Sequence, residues 1–285
     1  MKIIKNYRED AALRQSFNAL AEETFGLNFE NWYQMGYWTD AYTPYSVVEE
    51  GTVVANVSLN RTDMLVEGKR LRLYQLGTVM TKPAYRNRGY IRAIMAEIEK
   101  DTEDADGMYL FANDEVLNFY PKFGFAQEKE YVYTREVPVT GENRAVQVSM
   151  ADPEKREKLY NAIMASTFST GCHMVDNPGL IFFYAAQFMQ ECVYCLEDTD
   201  TWVIAEAEDG VLTLHNVFSA QAVSLEDVIG AFGGIREVVL GFTPAESTGF
   251  TCRKWKEEDC TFFVKGEAFQ NFGERKLRIP SLSHA

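Results

Sequence analysis

The sequence predicts an α+β protein made of two tandem units with the same order of elements. The first half is predicted to contain helices 7–25 and 29–37, strands 45–50, 52–60 and 71–81, a helix 89–101, and a strand 108–112. A short helix 115–120 and a last strand 131–135 are predicted to follow these elements. The second half is predicted to contain helices 152–168 and 180–190, strands 192–197, 201–207 and 211–218, a helix 225–232, and a strand 236–242. The order helix, helix, three strands, helix, strand therefore occurs twice, which indicates a duplicated unit.

Composition limits the class of protein and its partners. The 285 residues carry a formal charge of -14, with 16 basic and 21 acidic residues before residue 140 (net -5) and 12 and 21 after it (net -9). Two acidic halves argue against a nucleic-acid partner and favour attraction of a cationic substrate such as an amine. No apolar run approaches the roughly 18 to 20 residues of a membrane span, and no signal peptide is recognisable. We therefore expect a cytoplasmic protein with no membrane association.

All five cysteines lie in the second half of the chain. An odd count without a leader favours free thiols over a disulfide framework. Cys192 and Cys195 form a C-x-x-C, but a zinc site would need a second pair or suitably spaced histidines. We predict buried apolar cysteines and no metal site.

The most informative stretch of the chain is the basic segment 83–95. An apolar run with strand character precedes it, and four residues after Gly89 follow the spacing of one buried helix face: Ile91, Ile94, Met95 and Ile98. Residues 68–96 contain seven Lys or Arg and no Asp or Glu. A glycine turn before a helix exposes unpaired N–H groups at the positive end of the helix dipole. The segment predicts a phosphate-binding turn; the alternative is a solvated basic face.

At the corresponding place the second copy has residues 219–223, which include neither glycine nor a basic residue. The second unit is therefore predicted to be degenerate. Its role is either to complete a substrate pocket or to support the first unit.

Two motifs in the first unit resemble the GCN5-related N-acetyltransferase (GNAT) superfamily. Arg86-x-x-Gly89-x-Ile91 matches its signature Gln/Arg-x-x-Gly-x-Gly/Ala except at the last position, where Ile91 replaces a small residue. The wider string 85–95, with a bulky residue and an Arg after the glycine, is similar to the enhanced-intracellular-survival (Eis) type acetyltransferases. Residues 118–125, Asn-Phe-Tyr-Pro-Lys-Phe-Gly-Phe, resemble the second marker of the superfamily, in the expected order.

The resemblance implies a fold and a co-substrate. Each unit would be a mixed, mostly antiparallel sheet flanked by helices, with an N-terminal GNAT domain at 1–138 and a degenerate one at 144–285. Acetyl-CoA would be the co-substrate, and no metal is implied. The implied cofactor-binding residues are Val79, Met80, Thr81, Arg86, Asn87, Arg88, Gly89, Tyr90, Ile91, Arg92 and Asn113. The turn would hold the pyrophosphate, and residues 79–81 would pair with the pantetheine arm and stabilise the oxyanion.

The resemblance also implies catalytic residues. Tyr120 stands at the position of the superfamily's general acid, with core packing as the alternative. Segment 74–78 lacks the carboxylate that often serves as base. In Eis-type proteins the terminal carboxylate is thought to reach the active site, so we hypothesise that the Ala285 carboxylate or His284 approaches Tyr120. The apolar tail is expected to dock rather than fray.

These implications predict an N-acetyltransferase that acts on a primary amine of a small molecule or peptide. The alternative is an acetyl-CoA-binding regulatory module without transfer activity. Homo-oligomerisation is left open. The motif of a P-loop and that of a serine hydrolase are both absent from the sequence. The aromatic residues Phe25, Trp32, Trp38 and Tyr42 and the His173 loop are candidates for the acceptor pocket or for the core.

Overall fold

The computed structural model describes residues 2–284, and its helices follow the predicted order. The α-helices are α1 (Ala11–Phe25), α2 (Glu30–Gln34), α3 (Tyr90–Asp101), α4 (Pro153–Ala165), α5 (Pro178–Phe183) and α6 (Leu225–Ile229). A π-helical turn, Tyr184–Phe188, continues α5, so that the two together cover most of the predicted helix 180–190. Among residues 2–284 we find no helix with the length and apolar character of a transmembrane segment.

Eighteen strands are assigned within residues 2–284. In chain order they are β1 (Ile3–Lys5), β2 (Tyr42–Glu49), β3 (Thr52–Arg61), β4 (Met64–Val66), β5 (Lys69–Leu71), β6 (Leu73–Thr81), β7 (Gly107–Ala112), β8 (Ala126–Gln127), β9 (Glu130–Glu136), β10 (Val146–Gln147), β11 (Thr170–Met174), β12 (Val193–Leu196), β13 (Thr201–Glu208), β14 (Val211–Phe218), β15 (Glu237–Leu240), β16 (Thr243–Pro244), β17 (Thr251–Trp255) and β18 (Thr261–Lys265).

The first sheet has the order β1-β2-β3-β6-β7-β18-β8. Its strand pairs are antiparallel except β6 and β7, which run parallel. The parallel pairing covers only Leu73–Gln75 opposite Gly107–Tyr109, after which the two strands separate. Helix α3 packs Ile94, Met95 and Ile98 against this sheet, as the spacing predicts. The separation leaves the end of β6 without a partner on the β7 side.

The second sheet repeats this plan with the order β10-β12-β13-β14-β15-β9-β17. Again one pair is parallel, β14 with β15, and α6 lies between these two strands in the chain, as α3 does between β6 and β7. The predicted α+β class, with two units of mixed, mostly antiparallel sheet, is confirmed. A third, smaller sheet, β16-β11-β4-β5, joins strands from both halves of the chain.

The two large sheets exchange strands. β9, from the first half of the chain, pairs with β15 and β17 in the second sheet. In return, β18 lies between β7 and β8 in the first sheet. The division into 1–138 and 144–285 stays a prediction about folding units, because neither sheet is built from one segment alone.

The helix predicted at 115–120 is wrong. The segment instead forms two 3₁₀ turns, Asp114–Val116 and Tyr120–Phe123. Pro121 and Gly124 restrict any helix here to less than two turns, too few for the hydrogen bonds to offset the cost of nucleation. The predicted helix 29–37 is also shorter, because the chain leaves α2 at Met35.

Candidate active site

A cavity of about 810 Å³ opens where β6 and β7 separate. One wall is the free edge of β6 from Leu76 to Thr81, and the turn before α3 contributes Arg86 and Asn87. The opposite side carries Asn113 and Tyr120. The remaining wall is mostly aromatic and comes from both units. The cavity therefore brings together residues from each predicted part of the site.

A strained β-bulge shapes the β6 wall. The register with β3 shifts between the pairs Asn56–Met80 and Ser58–Gly77, so that Thr78 and Val79 form the bulge. Thr78 has a φ of +42° and is the only β-branched residue with a positive φ among residues 2–284. Such a conformation costs of order 1–3 kcal/mol and persists only where the surroundings hold it.

Buried side chains hold the bulge in place. Asn56 donates from Nδ2 to the Thr78 carbonyl oxygen at 2.9 Å, and its Oδ1 accepts from Ser46 Oγ at 2.8 Å. The Tyr7 hydroxyl lies 2.7 Å from Ser46 Oγ, which extends the network towards the N-terminus. On the cavity side, the Tyr42 hydroxyl lies 2.9 Å from Thr78 Oγ1. Burial raises the pKa of both tyrosines, so the network stays neutral at physiological pH.

The turn before α3 presents unpaired backbone donors. Gly89, the N-cap of α3, has a φ of +79°, and the space beside its Cα is open. Within residues 2–284, the N–H groups of residues 87–92 form no hydrogen bond. Arg86, Arg88 and Arg92 are exposed around them. An exposed, cationic turn with free N–H groups has the chemistry of an anion site.

Asn113 also lines the cavity, but its side chain already has a partner. Its Nδ2 donates to Asp259 Oδ2 at 2.8 Å, and Asp259 Oδ1 accepts from the Asp114 N–H at 2.6 Å. Its backbone carbonyl accepts from the Val116 N–H, so the amide oxygen and the second Nδ2–H of Asn113 remain available to a ligand.

Tyr120 lies at the inner end of the same wall. Its ring packs between Phe119, Phe125 and Phe263, while its hydroxyl has no hydrogen-bond partner among the described residues. Burial raises the pKa of Tyr120 to about 12. The hydroxyl is therefore protonated at physiological pH and is free to donate into the cavity.

The C-terminal segment docks beside the cavity. The Tyr109 hydroxyl donates to the Ser283 carbonyl oxygen at 2.9 Å, and Leu282 and Ser283 are buried. The His284 ring stacks on Phe111 at 4.0 Å, and Nε2 lies 3.0 Å from the Ile279 carbonyl oxygen. Because that oxygen only accepts, Nε2 carries the proton. Ala285, the other predicted group of the tail, lies outside the described residues.

His284 is poorly suited to accept a proton. Burial and the positive charge of Arg278 lower the pKa of His284 to about 3. Its Nε2 lies 3.8 Å from Oε1 of Glu130, whose own pKa burial raises to about 7. Both side chains are therefore neutral at slightly acidic pH, and the contact is not an ion pair there.

Several lining residues escape sequence reasoning because they come from the second unit. Leu180, Phe183, Tyr184 and Phe188, in and after α5, close the aromatic wall. The link between units is direct, since Trp32 Nε1 donates to the Gly179 carbonyl oxygen at 2.8 Å. A run of aromatic residues, Phe182 to Tyr184 with Phe188, is the signal in the sequence.

The four aromatic candidates from the first unit lie in two different places. Phe25, Trp32 and Tyr42 line the cavity, whereas Trp38 is a core residue that does not. His173 lies in a different, smaller cavity of about 150 Å³. Among residues 2–284, no three His, Cys, Asp or Glu side chains are grouped as metal ligands.

The splayed parallel strands, the bulge in the first of them and the basic turn at the following helix define an acyltransferase fold of the GNAT type. Residues 6–127 match the family model described as "Acetyltransferase (GNAT) domain". This match covers 122 of the 285 residues, so it identifies a GNAT domain in the first half of the chain. The chain as a whole resembles an Eis-type acetyltransferase in its fold.

Solved structures show that the likeness in fold extends over both units. A probable N-acyltransferase from Enterococcus faecalis V583 is 15% identical, with a TM-score of 0.60 over 95% of this chain and 74% of that one. Eis1 from Mycobacterium abscessus is 12% identical, with a TM-score of 0.56 over 92% and 73%. A GCN5-related N-acetyltransferase from Kribbella flavida is 16% identical, with a TM-score of 0.55 over 93% and 71%. No curated protein matches the sequence.

Proposed function

We propose that this protein transfers an acetyl group from acetyl-CoA to a primary amine by direct attack in a ternary complex. The observation that carries the proposal is one cavity onto which the basic turn, the free edge of β6 and the Tyr120 hydroxyl all open. Acetyl-CoA supplies an activated thioester when it is bound. The acceptor's nitrogen would reach it from the aromatic wall.

The residues present fit this co-substrate. The unpaired N–H groups of residues 87–92 and the side chains of Arg86 and Arg88 would hold the pyrophosphate. Val79, Met80 and Thr81 lie on the free edge of β6, where an extended pantetheine arm would add like a strand. A backbone N–H at the bulge would stabilise negative charge on the carbonyl oxygen under attack.

Tyr120 would assist the leaving sulfur. With a pKa near 12 it keeps its proton at neutral pH. A thiol has a pKa of about 8.5, so complete transfer from Tyr120 to a thiolate would be uphill by several kcal/mol. We therefore assign Tyr120 the role of a hydrogen-bond donor to the sulfur, with the proton itself supplied through solvent.

No described side chain is assigned as the general base. β6 carries no carboxylate, and His284 is held as a weak base by its burial. The Ala285 carboxylate stays a hypothesis. An amine that arrives already neutral needs no strong base, which is consistent with this set of residues.

In the regulatory alternative, the protein binds acetyl-CoA but does not transfer the acetyl group. It is separated from the proposal by measuring whether an amine stimulates thiol release from acetyl-CoA. Binding without stimulation by any amine would favour the regulatory module.

The cofactor site is tested with two matched glycine substitutions. Gly89 and Gly68 have φ values of +79° and +82°, and neither has atoms within 4 Å of an added Cβ. Gly89→Glu and Gly68→Glu should therefore lose similar stability, about 1–2 kcal/mol. Only Gly89→Glu places a carboxylate at the phosphate-binding turn. By calorimetry we expect it to lose acetyl-CoA binding while Gly68→Glu retains it. Equal binding by both folded variants would remove the turn from the proposal.

A further inference from the structure

We propose that the acceptor is an apolar monoamine, with an aromatic or aliphatic body and a single amino group, rather than a polyamine or another polycation. This inference rests on the proposed function and names the substrate class of the same cavity. Three observations carry it: the apolar wall, the exposed apolar residues at its rim, and the charges that line the cavity.

The wall facing the free edge of β6 is apolar and comes from both units. Phe29 and Phe183 stack across the units with centroids 5.2 Å apart, and Trp32 lies 5.3 Å from Phe183. Tyr42 packs 5.5 Å from Phe29. A wall of this kind recognises an apolar body and offers aromatic faces to an amino group beside it.

Large apolar side chains remain exposed around this cavity. Phe25, Val116 and Phe188 line it and are 42%, 40% and 54% exposed. Exposed apolar groups that surround one cavity in this way indicate a site that buries an apolar ligand.

The charges that line the cavity disfavour a polycation. Glu115 is the only carboxylate among the described residues that line the cavity, although the chain as a whole has a charge of -14. It lies on the same 3₁₀ turn as Val116, two residues after Asn113, whereas the aromatic wall is built by residues from α2, α5 and β2. A diamine or polyamine bound against the aromatic wall would bury an ammonium without an anionic partner from residues 2–284, which is costly.

The same environment suits the chemistry. Desolvation disfavours the ammonium form, so the amine binds neutral with its lone pair free. That lone pair forms the new N–C bond, and the C–S bond breaks with its electron pair on sulfur. The nitrogen loses one proton and the sulfur gains one, giving the amide and free CoA. A neutral amine does not need a general base, so this reaction does not require a carboxylate on β6.

The test compares hexylamine with hexane-diamine, which differ only in one terminal group, and adds phenylethylamine. We expect kcat/KM for hexylamine to exceed that for the diamine by about tenfold or more at equal pH, because a site without a partner for a polar group rejects it. Phenylethylamine should be at least as good as hexylamine. A diamine that reacts as well as hexylamine would overturn the inference and leave the proposed function standing.

Calorimetry with acetyl-CoA distinguishes a failure of the proposed function from a failure of the inference about the acceptor. If acetyl-CoA does not bind, the proposed function itself is wrong. If it binds but no amine releases thiol, both the transfer activity and the acceptor class are overturned.

A variant pair tests the aromatic rim directly. Phe188→Asp adds a carboxylate where the side chain is 54% exposed, so folding should survive. Met164 is also 54% exposed and lies outside this cavity, which makes Met164→Asp the matched control. We expect Phe188→Asp to reduce the ratio of hexylamine to diamine kcat/KM by about tenfold, and Met164→Asp to leave it unchanged. An unchanged ratio in a folded Phe188→Asp variant would overturn the inference.

Discussion

The side-chain amide of Asn56 donates to the carbonyl oxygen of Thr78 at 2.9 Å, and Thr78 is the one β-branched residue with a positive φ among residues 2–284. Asn56 is fully buried, and its other amide atom accepts from Ser46. Ser46 on β2 and Asn56 on β3 therefore form this network without a ligand. The bulge turns the free edge of β6 towards the cavity, so the strain at Thr78 lies where we propose that the thioester carbonyl is bound.

Asn56→Asp should disrupt this arrangement. The variant places an oxygen where Nδ2 donates, so the Thr78 carbonyl loses its donor and faces a repulsive partner. We expect a loss of about 1–3 kcal/mol in the free energy of unfolding and a fall in kcat/KM for acetyl-CoA of at least about tenfold. Ser46→Ala, which keeps the Asn56–Thr78 bond, should cost stability alone. Unaltered kcat/KM in folded Asn56→Asp would show that the bulge does not serve catalysis.

Tyr120→Phe should lower kcat while leaving the acetyl-CoA affinity unchanged. The phenyl ring keeps the contacts with Phe119 and Phe263, and only the hydroxyl, which has no partner among residues 2–284, is removed. We expect kcat to fall about 100-fold, the lower end of the range for a positioned proton donor, because Tyr120 is assigned only a hydrogen bond to the sulfur. Phe125→Leu is the packing control and should reduce stability without this change in kcat. Equal losses of binding and turnover would favour a purely structural role for Tyr120.

The sequence predicts those parts of the site whose residues lie close together in the chain. The turn, Gly89 and the buried face of α3 lie within one short segment, so spacing and charge suffice to identify them. Thr78 could not be predicted, because a β-branched residue favours extended backbone and only Asn56, Ser58 and Tyr42 hold it at a positive φ. The wall from α5 also depends on how the units pack, which no local pattern specifies.

Strand exchange is likewise invisible in the sequence. Residues 261–265, Thr-Phe-Phe-Val-Lys, are apolar enough for a strand, but alternation within a strand does not say which sheet it joins. The duplicated pattern ends at residue 242 and leaves β17 and β18 unassigned. Glu130 is missed for the same reason, since its burial results from the C-terminal segment folding back over β9.

Glu130 should make stability depend on pH. Burial raises its pKa from 4.5 to about 7 in the folded protein. The stability it contributes is therefore fully present below pH 4.5 and is lost as the pH rises through 7, a change of about 3 kcal/mol at 1.36 kcal/mol per pKa unit. Glu130→Gln keeps an oxygen to accept from the Ile279 N–H, a bond of 2.8 Å, but does not ionise.

We expect Glu130→Gln to match the wild type in Tm at pH 4.5 and to exceed it above pH 7. His284 and His215, whose pKa values are lowered to about 3 and about 4, destabilise both proteins equally as the pH falls below 6.5. Their effect therefore cancels in the difference between the two Tm curves. Parallel curves from pH 4.5 to 8 would show that Glu130 is not buried in its neutral form.

A fragment ending at residue 138 should not fold by itself. It lacks β18, which pairs with β7 over Thr261–Lys265 and with β8, and it retains β9 without the strands that flank it. Both defects leave unpaired strand edges, and the loss of Phe263 opens the core around Tyr120. We expect fragment 1–138 to be insoluble when expressed alone and to become soluble when co-expressed with fragment 144–285. Within the full chain, Phe263→Ala should cost about 3–5 kcal/mol. A monomeric fragment 1–138 that unfolds cooperatively would instead establish residues 1–138 as an autonomous domain, with β18 a dispensable addition to its sheet.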